Sequence, residues 1–322
     1  MPLVPAPLQQ ASGTLSVEEF YGLRDVPPET EWFANIDNSN TRRAYRNDIL
    51  DFMTFTGLTG SEQLRSVVRT HVIAWRAHLV QRQCSRATIR RKMAALSSLY
   101  GYLAENNSIL LSPVDGVKRP KAESEEGKTP ALSDNDARAL LAAPKRETLQ
   151  GKRDYAILST LLYHALRRDE LCRLTLMDIQ ERRGVKHFRV HGKGSRIRYI
   201  PIHTATIEAI LDYLNSVTHS NDPEGALFRP FKNNRTGTLE KALSADAIWR
   251  IVRKYALAAQ IPLSARVAPH ALRATAATNA LEHQVDIAKV QQFLGHANIS
   301  TTRIYDQREM RPADSPVWSI KY

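Results

Sequence analysis

Seven residues in the second half of the 322-residue chain are of types that do chemistry together. Arg167 and Glu170 lie three apart, and Lys193 sits between Gly192 and Gly194. His270 and Arg273 are three apart, His296 follows Gly295, and Tyr305 comes nine residues after His296. Guanidiniums are well-shaped donors for a planar pair of anionic oxygens. Lysine and histidine supply acid and base near neutral pH. A phenol, with a pKa near ~10, attacks only when a base or a positive charge stands beside it. Gathered in one place, this set suits displacement at a phosphodiester. Breaking that bond builds negative charge on the non-bridging oxygens, and losing one donor to such charge costs about 10²–10³ in rate.

Taken singly, each residue has an ordinary explanation. Arg167 and Glu170 read as an i,i+3 ion pair at the end of an apolar helix. Lys193 reads as a solvated turn residue, and His270 with Arg273 as a pair near a helix N-terminus. His296 reads as a cap and Tyr305 as a core residue. Other chemistries find no support. His270 and His296 have no Cys, Asp or Glu at ligand spacing, and H-E-x-x-H, Walker A, G-x-G-x-x-G and G-x-S-x-G are missing from the sequence. Cys84 and Cys172 make neither a disulfide framework nor a C-x-x-C pair. We therefore expect no metal and no cofactor.

The elements that must position these residues follow from periodicity and caps. Asn40-Thr41 opens a helix carrying Tyr45, Ile49, Phe52 and Phe55. A second helix spans Arg69 to Arg82 with Val72, Trp75, Leu79 and Val80 inward, and Ser85 caps a third, Arg86 to Asn106. The segment Pro120 to Pro130 lacks large apolar residues and reads as a linker. Beyond it the pattern is mixed. Ser133 and Asp136 mark a helix start, and Asp154 to Leu166 is an apolar buried helix. Two β-rich runs flank G-K-G-S within 185–202, a hairpin signal. Further helices cover 206–214, Ser244 to about Gln260 and Pro269 to about His283. Another runs from Asp286 to Leu294, stopping at Gly295, and a short one starts at Ser300-Thr301. The tail V-W-S-I-K-Y reads as an extended strand.

Forty-five Lys plus Arg against 33 Asp plus Glu give a net charge of +12, which favours a polyanionic partner. Residues 1–13 lack a basic start and a continuous apolar run, and no run reaches the ~18–20 residues of a membrane span, so we expect a cytoplasmic, reduced protein with no membrane contact.

In chain order the pieces read Y-H-A-L-R-R-D-E-L at 163–171, H-G-K-G-S-R-I-R-Y-I-P-I at 191–202, P-H-A-L-R at 269–273, L-G-H at 294–296 and T-T-R-I-Y-D at 301–306. Together they resemble the tyrosine recombinase (phage integrase) family, in the style of its Xer-type and transposon-borne members. The resemblance covers about residues 36–310. It includes T-R-R-A-Y-R-N-D at 41–48, similar to the start of the family's core-binding domain. It implies two domains closing as a C-shaped clamp on DNA: an all-α core-binding domain at 36–120 and a mixed α+β catalytic domain at 131–322. An N-terminal arm (1–35), a linker (121–130) and a tail (311–322) complete the chain.

The resemblance also implies roles. Arg167 and Arg273 clamp the phosphate, and Glu170 orients Arg167. Lys193 protonates the leaving 5′-oxygen, His270 is the base, His296 bonds the phosphate, and Tyr305 is the nucleophile that forms a 3′-phosphotyrosyl bond. Thr41, Arg42, Arg43, Arg86, Arg90, Arg91 and Lys92 are expected DNA contacts. The implied partner is double-stranded DNA with paired inverted-repeat sites, bound by a tetramer that passes through a four-way junction, without ATP or metal. The outcome would be integration, excision or resolution, and any accessory protein is unspecified. Alternatives are a type IB topoisomerase and a catalytically silent DNA-binding protein.

Three departures stand out. Ala165 occupies a place where the family usually has glycine, and is expected to be tolerated if the backbone there is helical. The tail after Tyr305 is short and broken by proline, and we expect it to add a strand to a sheet edge, in cis or in trans. No separate arm-binding domain is expected before residue 36.

Overall fold

The computed structural model describes residues 16, 26–121, 131–192, 196–232, 237–262 and 264–306. The chain divides into two units, 1–124 and 125–322, each with its own apolar core. Lys193, most of the linker and the tail lie outside the described residues.

The first unit is helical. Helices α1 (Pro28–Ala34), α2 (Ser39–Thr56), α3 (Arg69–Gln81) and α4 (Arg86–Glu105) surround a core of Phe52, Trp75, Met93, Leu96, Leu99, Tyr100 and Leu103. Asn38 caps α2, its side chain accepting from the amides of Asn40 and Thr41, so the helix begins before the Asn40-Thr41 start expected from sequence. Ser85 caps α4 through the Thr88 amide, as its sequence indicates. Two readings change. Val80 is exposed, because the inward stripe of α3 is carried by Val72, Trp75 and Leu79. Within the expected arm, Pro28 stands at the first position of α1, and Trp32 is buried, stacked on Tyr45 and donating its indole N–H to Ser98 Oγ at 3.1 Å, so this stretch joins the helical core.

The second unit packs α5 (Asp134–Ala142), α6 (Leu149–His164), α7 (Arg168–Arg173), α8 (Thr204–Leu214), α9 (Ala245–Ala258), α10 (Pro269–Glu282), α11 (Ile287–Leu294) and α12 (Ser300–Arg303) around one small sheet. Strands β1 (Ile179–Arg182), β2 (Val185–His191) and β3 (Ile197–Pro201) are antiparallel in the order β1-β2-β3. The hairpin pairs Phe188 with Ile200 and Val190 with Arg198. Its inner residues Phe188, Val190 and Ile200 join Ile157, Leu158 and Leu161 of α6 in the main core. Helix α6 is the buried centre, starting at Leu149, five residues before the apolar run that announced it.

A buried histidine, His164, closes α6. Its Nε2 accepts from the His203 amide at 3.0 Å while Nδ1 meets the Thr160 carbonyl at 3.3 Å, and burial lowers its pKa to about 4. It is a neutral core group holding α6 to the start of α8.

Candidate active site

Arg167 is placed by a break between helices. Helix α6 ends at His164, two residues short of the Leu166 end read from sequence, and Arg167 is the N-cap of α7. Its amide donates to Glu170 Oε2 at 2.8 Å and its Nη1 to Glu170 Oε1 at 2.9 Å. The side chain is otherwise half exposed, and Nη2 lies 3.4 Å from the Gly295 carbonyl.

The residue making that break is Ala165. Its φ of +50° is left-handed, so the expectation of helical backbone fails. A glycine would take this conformation at no steric cost, while an alanine pays about 1 kcal/mol. The methyl is fully buried in a small cluster with Ala274, Ala277, Leu281, Val290, Leu294 and Tyr305, which offsets the strain.

Arg273 is 1% exposed on the first turns of α10. Its Nη1 donates to the Ala165 carbonyl at 2.5 Å, and its Nη2 to the Leu294 carbonyl at 2.5 Å and to His296 Nε2 at 3.0 Å. Those carbonyls are at the C-terminal ends of α6 and α11, where helix dipoles are negative, so two helix ends stabilise a buried cation. Burial, then the charge of Arg167, pulls its pKa down to about 10, and it remains charged at neutral pH.

Glu170 is buried between two arginines. Arg198, on β3, donates to both its oxygens at 2.9 and 2.8 Å. Burial alone would raise the carboxyl pKa, but the Arg198 hydrogen bonds and charge, with the Arg167 hydrogen bonds, hold it at about 2. Sequence reasoning missed Arg198. The available signal was strand alternation, which puts Arg198 on the inner face with Ile200.

His296 follows Gly295, the αL residue (φ +65°) that ends α11. Its Nδ1 is 3.0 Å from Thr302 Oγ1. Burial first, then the charges of Arg273 and Arg167, lowers its pKa to about 4. Tyr305 is 5% exposed, with its ring stacked on His296 at 6.2 Å between centroids. Thr278 Oγ1 donates to its carbonyl at 3.3 Å. His270, exposed at the start of α10, has its pKa lowered by desolvation, then by Arg273 and Arg167.

The structure thus gathers Arg167, Glu170, Arg273, His296 and Tyr305, with His270 within their electrostatic reach. Lys193 lies outside the described residues; on either side of it, the Gly192 amide donates to the Arg196 carbonyl at 2.7 Å. Among the described residues no three His, Cys, Asp or Glu side chains are arranged to hold a metal, and no helix is long and apolar enough to cross a membrane.

The basic residues of the first unit behave differently from one another. Arg86 and Arg90 are exposed at the start of α4, with Arg90 bonding the Pro120 carbonyl at 3.0 Å. Thr41 is tied to its cap, Arg42 bonds the Ile36 carbonyl at 2.9 Å through Nε, and Arg43 bonds Asn40 at 3.1 Å; both arginines are exposed. Arg91 pairs with buried Asp48 while remaining exposed itself. Lys92 does not fit its expected role. It is 9% exposed, and its ammonium bridges Asp51 at 3.0 Å and Asp48 at 3.4 Å, so its charge is used between α2 and α4.

Comparison with known proteins agrees with this geometry. The Phage integrase family profile matches residues 130–311, and the profile of its N-terminal SAM-like domain matches residues 37–107. Tyrosine recombinase XerC of Thermodesulfovibrio yellowstonii is 30% identical over 277 residues, covering 85% of this chain and 88% of that protein. Tyrosine recombinase XerD of Pseudomonas aeruginosa is 33% identical over 272 residues, covering 83% and 86%. In fold, the chain is similar to a XerH site-specific recombinase bound to palindromic difH substrate, with TM-score 0.65, 19% identity and coverage of 87% and 80%. It is also similar to a lambda integrase dimer bound to a core site, with TM-score 0.65, 14% identity and coverage of 92% and 100%. Matched by the family profile from residue 130 to residue 311, and by relatives along most of its length, this chain belongs to the phage integrase family.

Proposed function

We propose that the chain is a site-specific DNA recombinase that cuts and rejoins DNA through a 3′-phosphotyrosyl intermediate on Tyr305. The observation that carries this reading is the convergence of Arg167, Arg273, His296 and Tyr305 at the ends of α6 and α11. Arg273 and Arg167 bind the non-bridging oxygens, where charge develops as the phosphorane forms. His270, neutral at pH 7, takes the phenol proton. Lys193 gives a proton to the departing 5′-oxygen, which leaves as the hydroxyl. His296, whose Nε2 accepts from Arg273 here, exchanges that bond on DNA binding for one donated from Nε2–H to the phosphate. The covalent bond conserves the ester, so a second 5′-hydroxyl restores the DNA backbone without ATP.

On this reading the protein works as a tetramer on two inverted-repeat sites, with Arg42, Arg43, Arg86, Arg90 and Arg91 contacting phosphates. The relatives named XerC and XerD, and the DNA-bound XerH structure, support a paired-site partner.

The test is covalent trapping in EDTA. Wild type and Tyr305→Phe are incubated with sheared genomic DNA of the source organism and quenched in SDS, and the ends of protein-linked fragments are sequenced. Wild-type-only enrichment at one short inverted repeat is the expected result. Equal recovery from both proteins, or none from wild type, overturns the reading.

A further inference from the structure

We propose that Arg198 is a positioning residue for strand cleavage: it holds Glu170, and through Glu170 sets the Arg167 guanidinium against the scissile phosphate. This rests on the recombinase reading above.

The geometry is specific. Arg198 makes a two-pronged bond to Glu170, Nη1 to Oε1 at 2.9 Å and Nη2 to Oε2 at 2.8 Å. Glu170 uses the same two oxygens for Arg167, Oε2 for its amide at 2.8 Å and Oε1 for its Nη1 at 2.9 Å. One carboxylate therefore serves two guanidiniums, but in different ways. Arg198 is 16% exposed and engaged with both oxygens, while Arg167 is 41% exposed and engages Glu170 through one guanidinium nitrogen. A carboxylate facing Arg167 alone would draw it into a closed pair and cancel its charge. With Arg198 taking most of that attraction, Arg167 is anchored by one corner and keeps its remaining donors for an anion.

Arg198 is itself fixed from two further directions. On β3 it pairs with buried Val190 of β2. Its aliphatic stem lies against Gly295, where an added Cβ would come within 3.2 Å of Cδ. Its Nε is buried with no hydrogen-bond acceptor among the described residues, so Glu170 supplies its bonded oxygens there. Strand β3 is thus tied to Arg167 through one carboxylate, beside the glycine preceding His296.

The experiment uses the full chain and the DNA fragment recovered by covalent trapping, cut at a nick so that cleavage is irreversible. Single-turnover cleavage at saturating DNA, the Kd for the same DNA, and the melting temperature are measured for wild type, Arg198→Gln, Arg198→Lys, Glu170→Gln and Arg198→Gln with Glu170→Gln. We expect Arg198→Gln to lower the cleavage rate tenfold to a hundredfold, the scale of a roughly 1 Å misplacement, with Kd within about threefold. Arg198→Lys, which keeps the charge but not the fork, recovers part of the rate. The double variant is no slower than the slower single variant, because both changes break one unit. An unchanged rate, a Kd that weakens by the same factor as the rate, or additive losses in the double variant overturns the proposal while wild type still forms its adduct. No adduct from wild type overturns the recombinase reading and this proposal with it.

Discussion

Arg273 Nη2 lies 3.0 Å from His296 Nε2, and this contact settles where the imidazole proton sits. A guanidinium donates only, so Nε2 carries the lone pair and Nδ1–H donates to Thr302 Oγ1 at 3.0 Å. Replacing Thr302 by Val keeps the shape and removes the acceptor. We expect a stability loss of about 1–3 kcal/mol from the orphaned N–H and about a tenfold slower cleavage as the ring loses its orientation. Chemical denaturation and single-turnover cleavage read the two effects separately.

His270 titrates below an ordinary histidine because it is partly desolvated and faces Arg273 and Arg167. A base with a lowered pKa stays neutral further into acid. The acid limb of the cleavage rate is therefore expected below pH 6.5, the ordinary value. Replacing Arg167 with Gln removes one of those charges and moves the limb up. A limb above pH 6.5 in wild type would assign it to another group.

Acid stability has its own histidines. His164 and His296 are held to about 4 in the folded protein against an ordinary 6.5. Between those values the unfolded chain binds protons that the folded chain refuses, so stability falls as pH drops from about 6.5 to about 4. Glu170, held near 2, adds its loss only below about 4.5. Denaturation midpoints measured from pH 7 to pH 4 should fall steadily. His164→Gln is expected to be less stable at pH 7 but to have a shallower slope.

Ala165 balances strain against packing. Ala165→Gly relieves about 1 kcal/mol of left-handed strain and loses a buried methyl worth about 0.8 kcal/mol, so stability stays within about 1 kcal/mol of wild type. Ala165→Val puts a β-branched residue at positive φ and should cost more than about 2 kcal/mol. Equilibrium denaturation of the two variants distinguishes this from a simple preference for larger side chains.

The basic residues of the helical unit separate by their salt dependence. Arg86→Ala and Arg90→Ala should each reduce the slope of log Kd against log salt by about one. Lys92→Met should leave that slope unchanged and lower stability by about 1–3 kcal/mol, because it leaves Asp48 and Asp51 underpaired. A reduced slope for Lys92→Met would return it to the DNA-contact set.

Legibility in the sequence followed the physics. Caps and periodicity located the helices, because Ser85, Ser133, Ser244 and Asp286 bond amides within three residues of themselves. The hairpin was visible, but β1 was not, since I-Q-E-R carries no alternation and is held by pairing to β2. The charged residues in the active site were visible through their order, whereas Arg198 looked like one more surface cation. Lys92 looked like a phosphate contact until long-range pairing with Asp48 and Asp51 put it inside. The left-handed turn at Ala165 was hidden because alanine is normally a helix former. What the sequence left out was in each case a contact between residues far apart in the chain, or backbone strain that packing sustains.

The end of α11 works as an indexing device. Three consecutive residues there serve the site: the Leu294 carbonyl receives Arg273, the Gly295 carbonyl faces Arg167, and His296 meets Arg273. A helix advances about 1.5 Å and turns about 100° per residue. One residue added or removed within Ile287–Leu294 would therefore rotate all three positions away from their arginines at once. The site tolerates exchange of side chains along this helix far better than any change in its count, so its length is under tighter constraint than its composition.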